Sequence, residues 1–341
     1  MPITPKPKGI LLVNLGTPDS SSTADVRKYL REFLSDPRVV DINPIGRYIL
    51  VNAIIAPFRS PKSAATYRKV WMEKGSPLMV YGQELKEKLQ ESLGNDFRVG
   101  LAMRYQSPSI ESILNEMQNE GIDDIKVIPL FPQYASATGG SVHEKVMEII
   151  SKWQTIPKIE LVKSFHRQPK MIQTFAENGK SMGLENYDFF LFSFHGLPKR
   201  QLRKADLSRK HCKGGGECCQ SLVEENKNCY GAQCHDTAKA IAEELGLTKE
   251  NYSVSFQSRL GNDPWIGPYT SEVLKNLVKS GKKRVLVFCP AFVADCLETI
   301  YEIGMEYKEE FLEEGGENLQ LVNSLNINSG WVEALKEIVL T

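Results

Sequence analysis

The chain has 341 residues, of which 41% are hydrophobic and 25% are charged. This composition is that of an ordinary globular protein, and it argues against both a disordered chain and a membrane-embedded one. The 42 basic residues balance 42 acidic residues, so no overall positive field favours nucleic acid as a partner.

Length and the N-terminal sequence set the expected organisation and location. A chain of this length is too long for one ordinary core, which predicts two domains. The first apolar run is interrupted by Asn14 and Gly16 and is too short for a signal peptide, so a cytoplasmic location is expected. The best candidate for a membrane span, 45–58, contains Arg47 and Asn52 and is shorter than the roughly 18 apolar residues required. A peripheral membrane contact remains open there.

Eight short apolar runs rich in β-branched residues predict strands that are buried on both faces, as in parallel sheets. Their ranges are 10–15, 99–103, 126–130, 159–164, 189–194, 252–256, 284–289 and 319–324. The stretches between them have helical spacing, and Ser22, three residues before Asp25, predicts a helix N-terminus.

Four strands in each half predict an α/β fold of two similar Rossmann-like domains, each a four-stranded parallel sheet flanked by helices. We expect the domains to span 1–168 and 169–325. A C-terminal helix over 326–341 is expected to pack back on the body.

Residues that follow the predicted strands are the first candidates for a binding site, because open α/β sheets bind ligands beyond the carboxyl ends of their strands. Aromatic and basic side chains recur there, among them Arg104, Tyr105 and Tyr134. They suit a large, flat, apolar ligand with acidic edges better than a nucleotide, which would require a glycine-rich turn.

His195 stands at the end of the fifth predicted strand, before the sequence Gly-Leu-Pro. A histidine can accept a proton near pH 7 and later release it, so this position suits catalysis. The alternative is a histidine that only hydrogen-bonds a loop.

Glu298, Glu302 and Glu306 follow one another at intervals of four residues, which places three carboxylates on one face of a helix. Such a row could conduct a cation, because close like charges repel unless a positive charge lies among them. On spacing alone, a solvated acidic face is the alternative.

Eight motifs resemble, in order and spacing, those of the ferrochelatases. They are ILLVNLGTP (10–18), GSPL (75–78), MRY (103–105), PQY (132–134), SFHGLP (193–198), FQSRLG (256–261), PWIGP (264–268) and FVADCLET (292–299). The resemblance covers nearly the whole chain. It implies a class II chelatase-like fold and insertion of ferrous iron into protoporphyrin IX to form protohaem, the last step of haem biosynthesis.

The resemblance also implies roles for individual residues. His195 is similar to the active-site histidine of the family, Glu298 to its opposing carboxylate, and Glu302 and Glu306 to a line of acidic residues that leads the metal inward. A porphyrin pocket is implied for Leu15, Arg104, Tyr105, Tyr134, Trp265 and Asp295. The range 45–61 resembles an apolar lip at which porphyrin enters from a membrane. Cys296 stands where many members have histidine.

Five of the seven cysteines lie within 23 residues: Cys212, Cys218, Cys219, Cys229 and Cys234. Such thiol density in a cytosolic chain favours metal over disulfides. The resemblance to cluster-bearing ferrochelatases implies a 2Fe-2S cluster. We favour Cys212, one of the adjacent pair, Cys229 and Cys234 as ligands. There are three alternatives: the quartet of Cys212, Cys218, Cys219 and Cys229, a structural zinc site, and reduced thiols.

Three other functions remain open: a chelatase for coproporphyrin or for cobalt and a corrin precursor, a porphyrin or haem carrier, and an iron–sulfur electron carrier. A carrier needs no proton acceptor opposed to a carboxylate. An electron carrier would leave the pocket motifs unexplained. The oligomeric state is not predicted.

Overall fold

All eight apolar runs form strands in the computed structural model, which describes residues 6–259, 261 and 263–341. Leu260, part of the sixth motif, lies outside the described residues. The strands are β1 (Lys8–Gly16), β2 (Phe97–Tyr105), β3 (Asp124–Pro129), β4 (Lys158–Leu161), β5 (Phe189–His195), β6 (Tyr252–Gln257), β7 (Arg284–Phe288) and β8 (Asn318–Leu321). The predicted runs at 159–164 and 319–324 are correct in position but extend three residues beyond the observed strand ends.

Two compact units divide the chain. The first comprises Met1–Phe131, Ala135–Ser164 and Leu335–Thr341, and the second comprises Pro132–Tyr134 and Phe165–Ala334. Each unit contains one four-stranded sheet with parallel neighbours, ordered β2-β1-β3-β4 in the first and β6-β5-β7-β8 in the second. The same strand order in both sheets confirms the predicted pair of similar α/β folds.

Helices connect the strands of the first unit. They are α1 (Thr23–Ser35), α2 (Pro44–Ile49), α3 (Ala56–Val70), α4 (Pro77–Leu93), α5 (Ile110–Asn119) and α6 (Ser141–Ile150), with π-helical segments at Leu50–Ile55 and Ser136–Gly140. The predicted N-cap is confirmed, since the Ser22 side chain accepts a hydrogen bond from the Asp25 N–H. One side of the sheet packs α5 and α6 through Leu114, Met117 and Val146.

The second unit repeats this alternation. Its helices are α7 (Pro169–Lys180), α8 (Lys199–Ala205), α9 (Tyr230–Glu244), α10 (Thr270–Lys279) and α11 (Lys308–Glu313), with a π-helix at Leu297–Tyr307 and short 3-10 turns at Leu184–Asn186, Gly216–Cys219 and Glu224–Asn226. Its core includes Leu191, Leu274 and Val287. The final helix, α12 (Ser329–Leu340), contributes residues to both units.

Glycine is required where the first strand of each sheet ends beside its neighbour. A Cβ atom on Gly16, whose φ is +122°, would lie 2.1 Å from the carbonyl oxygen of Tyr105. A Cβ on Gly196 would lie 2.9 Å from the carbonyl oxygen of Gln257. Both approaches are closer than a side chain tolerates, so glycine lets the two backbones meet at these strand ends.

None of the helices in the described part of the chain is long and apolar enough to cross a membrane.

Candidate active site

β5 delivers His195 to the carboxyl end of the second sheet, where its ring is half-buried. The ring atom Nδ1 lies 2.7 Å from the carbonyl oxygen of Gly196. Because a carbonyl oxygen only accepts hydrogen bonds, Nδ1 carries the hydrogen and the neutral ring keeps a lone pair on Nε2. The hydroxyl of Tyr230 donates to the carbonyl oxygen of His195 at 2.9 Å and fixes the strand end. Nε2 is therefore the ring atom of a neutral His195 that can accept a proton.

Aromatic rings surround His195 within the same unit. The ring centroids of Trp265 and Phe292 lie 6.3 and 6.5 Å from the imidazole centroid. The indole N–H of Trp265 is buried and finds no hydrogen-bond partner among the described residues. A buried donor without a partner is costly, so this N–H is suited to an acceptor on a bound molecule.

The predicted glutamate row lies on the π-helix Leu297–Tyr307 rather than on an α-helix. π-helices are rare and are often associated with functional sites. Glu298, at its start, is half-buried, and the side-chain amide of Gln257 donates to its backbone carbonyl oxygen at 2.8 Å. Burial raises the pKa of the Cys296 thiol well above its usual value, and the charge of Glu298 raises it further. Cys296 is thus a neutral thiol beside the Glu298 carboxylate.

Glu302 and Glu306 have different surroundings. The carboxylate of Glu302 accepts from the Ser258 N–H at 2.8 Å, from the Gln257 side chain at 3.2 Å and from the Tyr307 hydroxyl at 3.2 Å. The Ser258 hydroxyl donates to the same carboxylate. Glu306 is exposed. Glu302 therefore fixes the π-helix to the end of β6, while the Glu306 side chain faces solvent.

Asp295 is buried and uses both carboxylate oxygens within the fold. Its partners are the Thr299 hydroxyl at 3.0 Å, the Asn326 side chain at 2.7 Å and the backbone N–H of Ser324 at 3.3 Å. Asp295 therefore anchors the start of the π-helix. Its carboxylate is engaged in these hydrogen bonds, unlike that of a side chain which lines a pocket.

In the first unit, two predicted pocket residues form a buried polar network. Arg104 donates to Asp36 at 2.8 Å and to the Ser141 hydroxyl at 2.7 Å, and the Tyr105 hydroxyl donates to Asp36 at 2.8 Å. Burial opposes ionisation of Asp36, yet its pKa lies below the usual value because Ser141 and Tyr105 donate hydrogen bonds to its carboxylate. Leu15, at the end of β1, is half-buried.

Tyr134, which belongs to the second unit, is half-buried, and its N–H donates to the side chain of Gln233 at 2.7 Å. The predicted set thus includes residues whose polar groups the fold already uses.

The cysteine segment brings four thiols together. Sγ of Cys218 lies 3.9 Å from Sγ of Cys219, and Cys219 is hydrogen-bonded to Cys229, which lowers the pKa of Cys229 to about 6. Burial raises the pKa of the Cys212 thiol, and the charges of Cys229 and Cys218 raise it further. Cys212, Cys218 and Cys229 line a small cavity of about 10 Å³.

Cys234 also lies near Cys229, whose charge acts on its thiol. It is fully buried in α9, its partner is Tyr230, and burial raises the pKa of its thiol well above the usual value. The cavity is lined by Cys212, Cys218 and Cys229, which belong to both of the quartets considered from the sequence, and Cys234 does not line it. Both adjacent cysteines belong to the 3-10 turn Gly216–Cys219, and Cys218 is the one of the two that lines the cavity.

The chemistry of this donor set fits an iron–sulfur centre. Four thiols converge, and the backbone N–H groups of Gly214 and Lys213 point at the sulfur atoms of Cys212 and Cys218 at 3.3 and 3.4 Å. Such N–H groups stabilise thiolates. Across the residues that the structure describes, however, no three His, Cys, Asp or Glu side chains are already arranged to hold a metal ion.

Gln257 and Tyr230 contribute to this geometry but were not predicted from the sequence as site residues. Gln257 lies within the sixth motif, so the motif carried a signal for it. Tyr230 follows Cys229 and gave no separate signal, because its hydroxyl reaches a residue 35 positions away.

The sequence model of the ferrochelatase family matches residues 7–341. The chain belongs to the ferrochelatase family. It is accordingly an enzyme, a porphyrin metal chelatase. Among its relatives, a ferrochelatase of Legionella pneumophila strain Paris is 43% identical over 97% of this chain and 98% of the relative. A ferrochelatase of Coxiella burnetii strain Dugway 5J108-111 is 43% identical over 97% of this chain and 92% of the relative.

A solved structure of SirB from Bacillus subtilis with Fe3+ has the same fold, with a TM-score of 0.52 over 98% of this chain and 94% of that chain. At 12% identity this likeness concerns the fold alone.

Proposed function

We propose that this ferrochelatase inserts ferrous iron into protoporphyrin IX and that His195 accepts the pyrrole protons displaced by the metal. The observation that carries the role of His195 is its hydrogen bond from Nδ1 to the Gly196 carbonyl oxygen, which leaves the Nε2 lone pair as a proton acceptor. A positioned base of this kind contributes about 10²- to 10⁴-fold to rate. Two protons leave for each iron inserted, so the charge balances when protohaem forms.

Glu298 is the second reacting group in this proposal. Ferrous iron is bound well by imidazole, carboxylate and water, and a ligand set of one histidine and one glutamate holds it loosely enough for transfer. Glu298 either supplies iron or carries protons. Glu302 and Glu306 extend the acidic row along the same π-helix. The exposed Glu306 is the outer end of this path, and Glu302 positions the helix as well as adding charge.

For porphyrin binding we propose Leu15, Arg104, Tyr105, Tyr134 and Trp265. Trp265 has the most direct support, because its unpaired indole N–H and its ring beside His195 offer a donor and an apolar face. Asp295 acts indirectly by anchoring the start of the π-helix.

The proposed activity is tested by anaerobic incubation with ferrous iron and either protoporphyrin IX or coproporphyrin while haem absorbance is followed. We expect product from protoporphyrin. Faster turnover of coproporphyrin would identify the alternative substrate, and porphyrin binding without turnover would identify a carrier. Product from neither would overturn the proposed activity.

His195→Ala should lower kcat by at least about 10²-fold, because the proton acceptor is lost. Porphyrin binding, measured by fluorescence quenching, should change little. His143→Ala is the matched control, since His143 is half-buried on α6 and its Nε2 lies 3.1 Å from the Val162 carbonyl oxygen. Near-normal turnover of His195→Ala would exclude His195 from the mechanism.

We also propose that Cys212, Cys218, Cys219 and Cys229 hold a 2Fe-2S cluster. When bound, it supplies a one-electron centre and cross-links the loop. The convergence of the four thiols and the N–H groups at two of them support this proposal. Anaerobically purified protein should contain about two iron atoms and two acid-labile sulfides per chain beyond substrate iron. Colourless protein with zinc or with no metal would overturn it.

A peripheral membrane contact is the last part of the proposal. The apolar lip, residues 45–61, exposes several large apolar side chains, with Phe58 80%, Ile45 74% and Tyr48 70% exposed. A group of exposed apolar residues of this kind is typical of a contact with a membrane or an apolar substrate.

A further inference from the structure

Two buried polar side chains, Asp206 and Asn226, organise the cysteine segment. Asp206 follows the end of α8, and Asn226 ends the 3-10 turn Glu224–Asn226. Only 8% of Asp206 and 4% of Asn226 is exposed. Both residues line the small cavity together with Cys212, Cys218 and Cys229.

Asp206 fixes the backbone at the first thiol. One of its carboxylate oxygens accepts from the N–H groups of His211 at 2.9 Å and Cys212 at 2.8 Å. The other accepts from the N–H and the hydroxyl of Ser208 at 2.9 and 2.7 Å. All four donors point at a carboxylate, which only accepts, so a carboxamide at this position could not satisfy them all.

Asn226 fixes the backbone at the other thiols. Its side-chain N–H groups donate to the carbonyl oxygens of Cys218 at 2.9 Å and Ser221 at 2.8 Å. Its side-chain oxygen accepts from the Val223 N–H at 2.7 Å, and its backbone carbonyl accepts from the Cys229 N–H at 2.7 Å. The side chain of this buried asparagine thus constrains Cys218, and its backbone carbonyl constrains Cys229, eleven positions further along the chain.

We propose that Asp206 and Asn226 are positioning residues that hold the backbone at Cys212, Cys218 and Cys229 before any metal binds. Cys219 is positioned in turn because it directly follows Cys218 in the chain. The segment includes Gly214, Gly215 and Gly216, all with positive φ. Because glycines lose much conformational entropy on ordering, a loop of this composition needs internal anchors or a bound metal to be ordered. The side chains of Asp206 and Asn226 provide those anchors at Cys212 and Cys218, and the backbone carbonyl of Asn226 provides the one at Cys229.

This inference rests on the proposed cluster for its function, but the ordering of the thiols can be measured without metal. The test variants are Asp206→Asn and Asn226→Asp, which keep size and exchange donors for acceptors. Asp263→Asn and Asn251→Asp are matched controls in the same unit. Asp263 pairs with Arg200, and Asn251 accepts from the Thr248 N–H.

The first measurement is the rate at which iodoacetamide alkylates the buried Cys219 and Cys229 in reduced, metal-free protein, resolved by mass spectrometry. We expect each test variant to be alkylated roughly 10-fold faster than wild type, because the lost hydrogen bonds let the loop open. The controls should react at the wild-type rate. Circular dichroism verifies that every variant is folded. If Asn226→Asp is not folded, Asn226→Ala replaces it.

The second measurement is a titration of the same proteins with Co2+, followed by its thiolate charge-transfer absorbance. The test variants should bind Co2+ about 10- to 100-fold more weakly than wild type, as expected for groups that orient metal ligands. Equal alkylation rates in wild type and test variants would overturn the positioning role. Wild-type protein that binds neither Co2+ nor iron with sulfide would overturn the cluster, and the alkylation rates would still decide the role of Asp206 and Asn226.

Discussion

At the scale of single residues, tertiary surroundings distinguish side chains that the sequence presents as equivalent. Glu298, Glu302 and Glu306 are evenly spaced, yet one is half-buried beside a thiol, one accepts four hydrogen bonds and one is exposed. A carboxylate that already accepts several hydrogen bonds is constrained, and an exposed one is screened by solvent. The three are therefore expected to respond differently to the same substitution.

Glu306→Gln should raise the KM for iron by a few-fold while the KM for porphyrin changes little, because an exposed charge acts on cation approach. Glu302→Gln should raise the iron KM as well and also lower stability by about 1–3 kcal/mol, since the hydrogen bonds of Ser258 and Tyr307 lose their charged acceptor. Steady-state kinetics and urea unfolding measure the two effects. Glu309→Gln is the control, as Glu309 is exposed on α11 outside the row. Equal changes in both KM values would indicate a solvated face instead of a metal path.

His235 gives a pH prediction. It packs beside Phe256, with ring centroids 6.3 Å apart, and burial lowers its pKa to about 4. Its unfolded pKa is about 6.5, so the stability that neutral His235 provides is complete above pH 6.5. As the pH falls from 6.5 to 4, the unfolded state takes up a proton that the folded state does not. The loss approaches about 3 kcal/mol.

The check is the free energy of unfolding of wild type and His235→Gln, measured between pH 7.5 and pH 4.5. The variant should show a shallower decline over this interval. An identical pH dependence in the two proteins would contradict the assignment to His235.

At the scale of elements, hydrophobic pattern predicted where strands and helices lie but not every backbone geometry. The π-helix Leu297–Tyr307 follows β7, and the π-helical segment Ser136–Gly140 follows β3, so corresponding positions of the two units depart from α-helix in the same way. Spacing alone does not separate π from α geometry, because both place residues four apart close together. The contacts that hold Glu298 and Glu302 come from Gln257 and Ser258.

The end of α12 depends on a buried lysine. Nζ of Lys126, whose side chain is 1% exposed, donates to the carbonyl oxygens of Ile338 at 3.0 Å and Val339 at 3.1 Å and pairs with Glu160 at 2.7 Å. The last carbonyl groups of a helix have no intrahelical partner, and a cation suits them.

Lys126→Met should lower the free energy of unfolding by about 1–3 kcal/mol, because it leaves these carbonyl groups without their charged donor. Urea denaturation measures the loss. Lys8→Met removes a more exposed partner of Glu160, with a side chain 25% exposed, and should cost less than about 1 kcal/mol. Similar losses in the two variants would argue against the capping role of Lys126.

At the scale of the whole molecule, the two sheets share one strand order, β2-β1-β3-β4 and β6-β5-β7-β8. His195 is the last residue of β5, as Gly16 is the last residue of β1. Leu15 directly precedes Gly16. The same strand order therefore has a candidate base at the end of β5 and an apolar residue, Leu15, at the end of β1. The apolar lip, residues 45–61, is a surface feature that does not follow from the strand order of the sheets.

The proposed membrane contact predicts that Phe58→Ser and Ile45→Ser each weaken binding to phosphatidylglycerol-containing vesicles by about 10-fold, because each removes a large apolar side chain from the contact. Vesicle flotation measures binding. Leu207→Ser is the control, since Leu207 is 86% exposed in the other unit. Wild-type protein that does not float with vesicles would rule out this contact.

The sequence by itself determined the eight strands, the two similar folds, the position of His195 and the family. These features depend on local apolar runs and short motifs, which lie within a few residues of one another. Only the tertiary structure decided that Cys212, Cys218 and Cys229 line one cavity, that Glu302 and Asp295 are held by hydrogen bonds, and that Lys126 caps a helix 212 residues away. Such contacts join residues distant in the chain, and their geometry follows from how the elements pack, which no local pattern encodes.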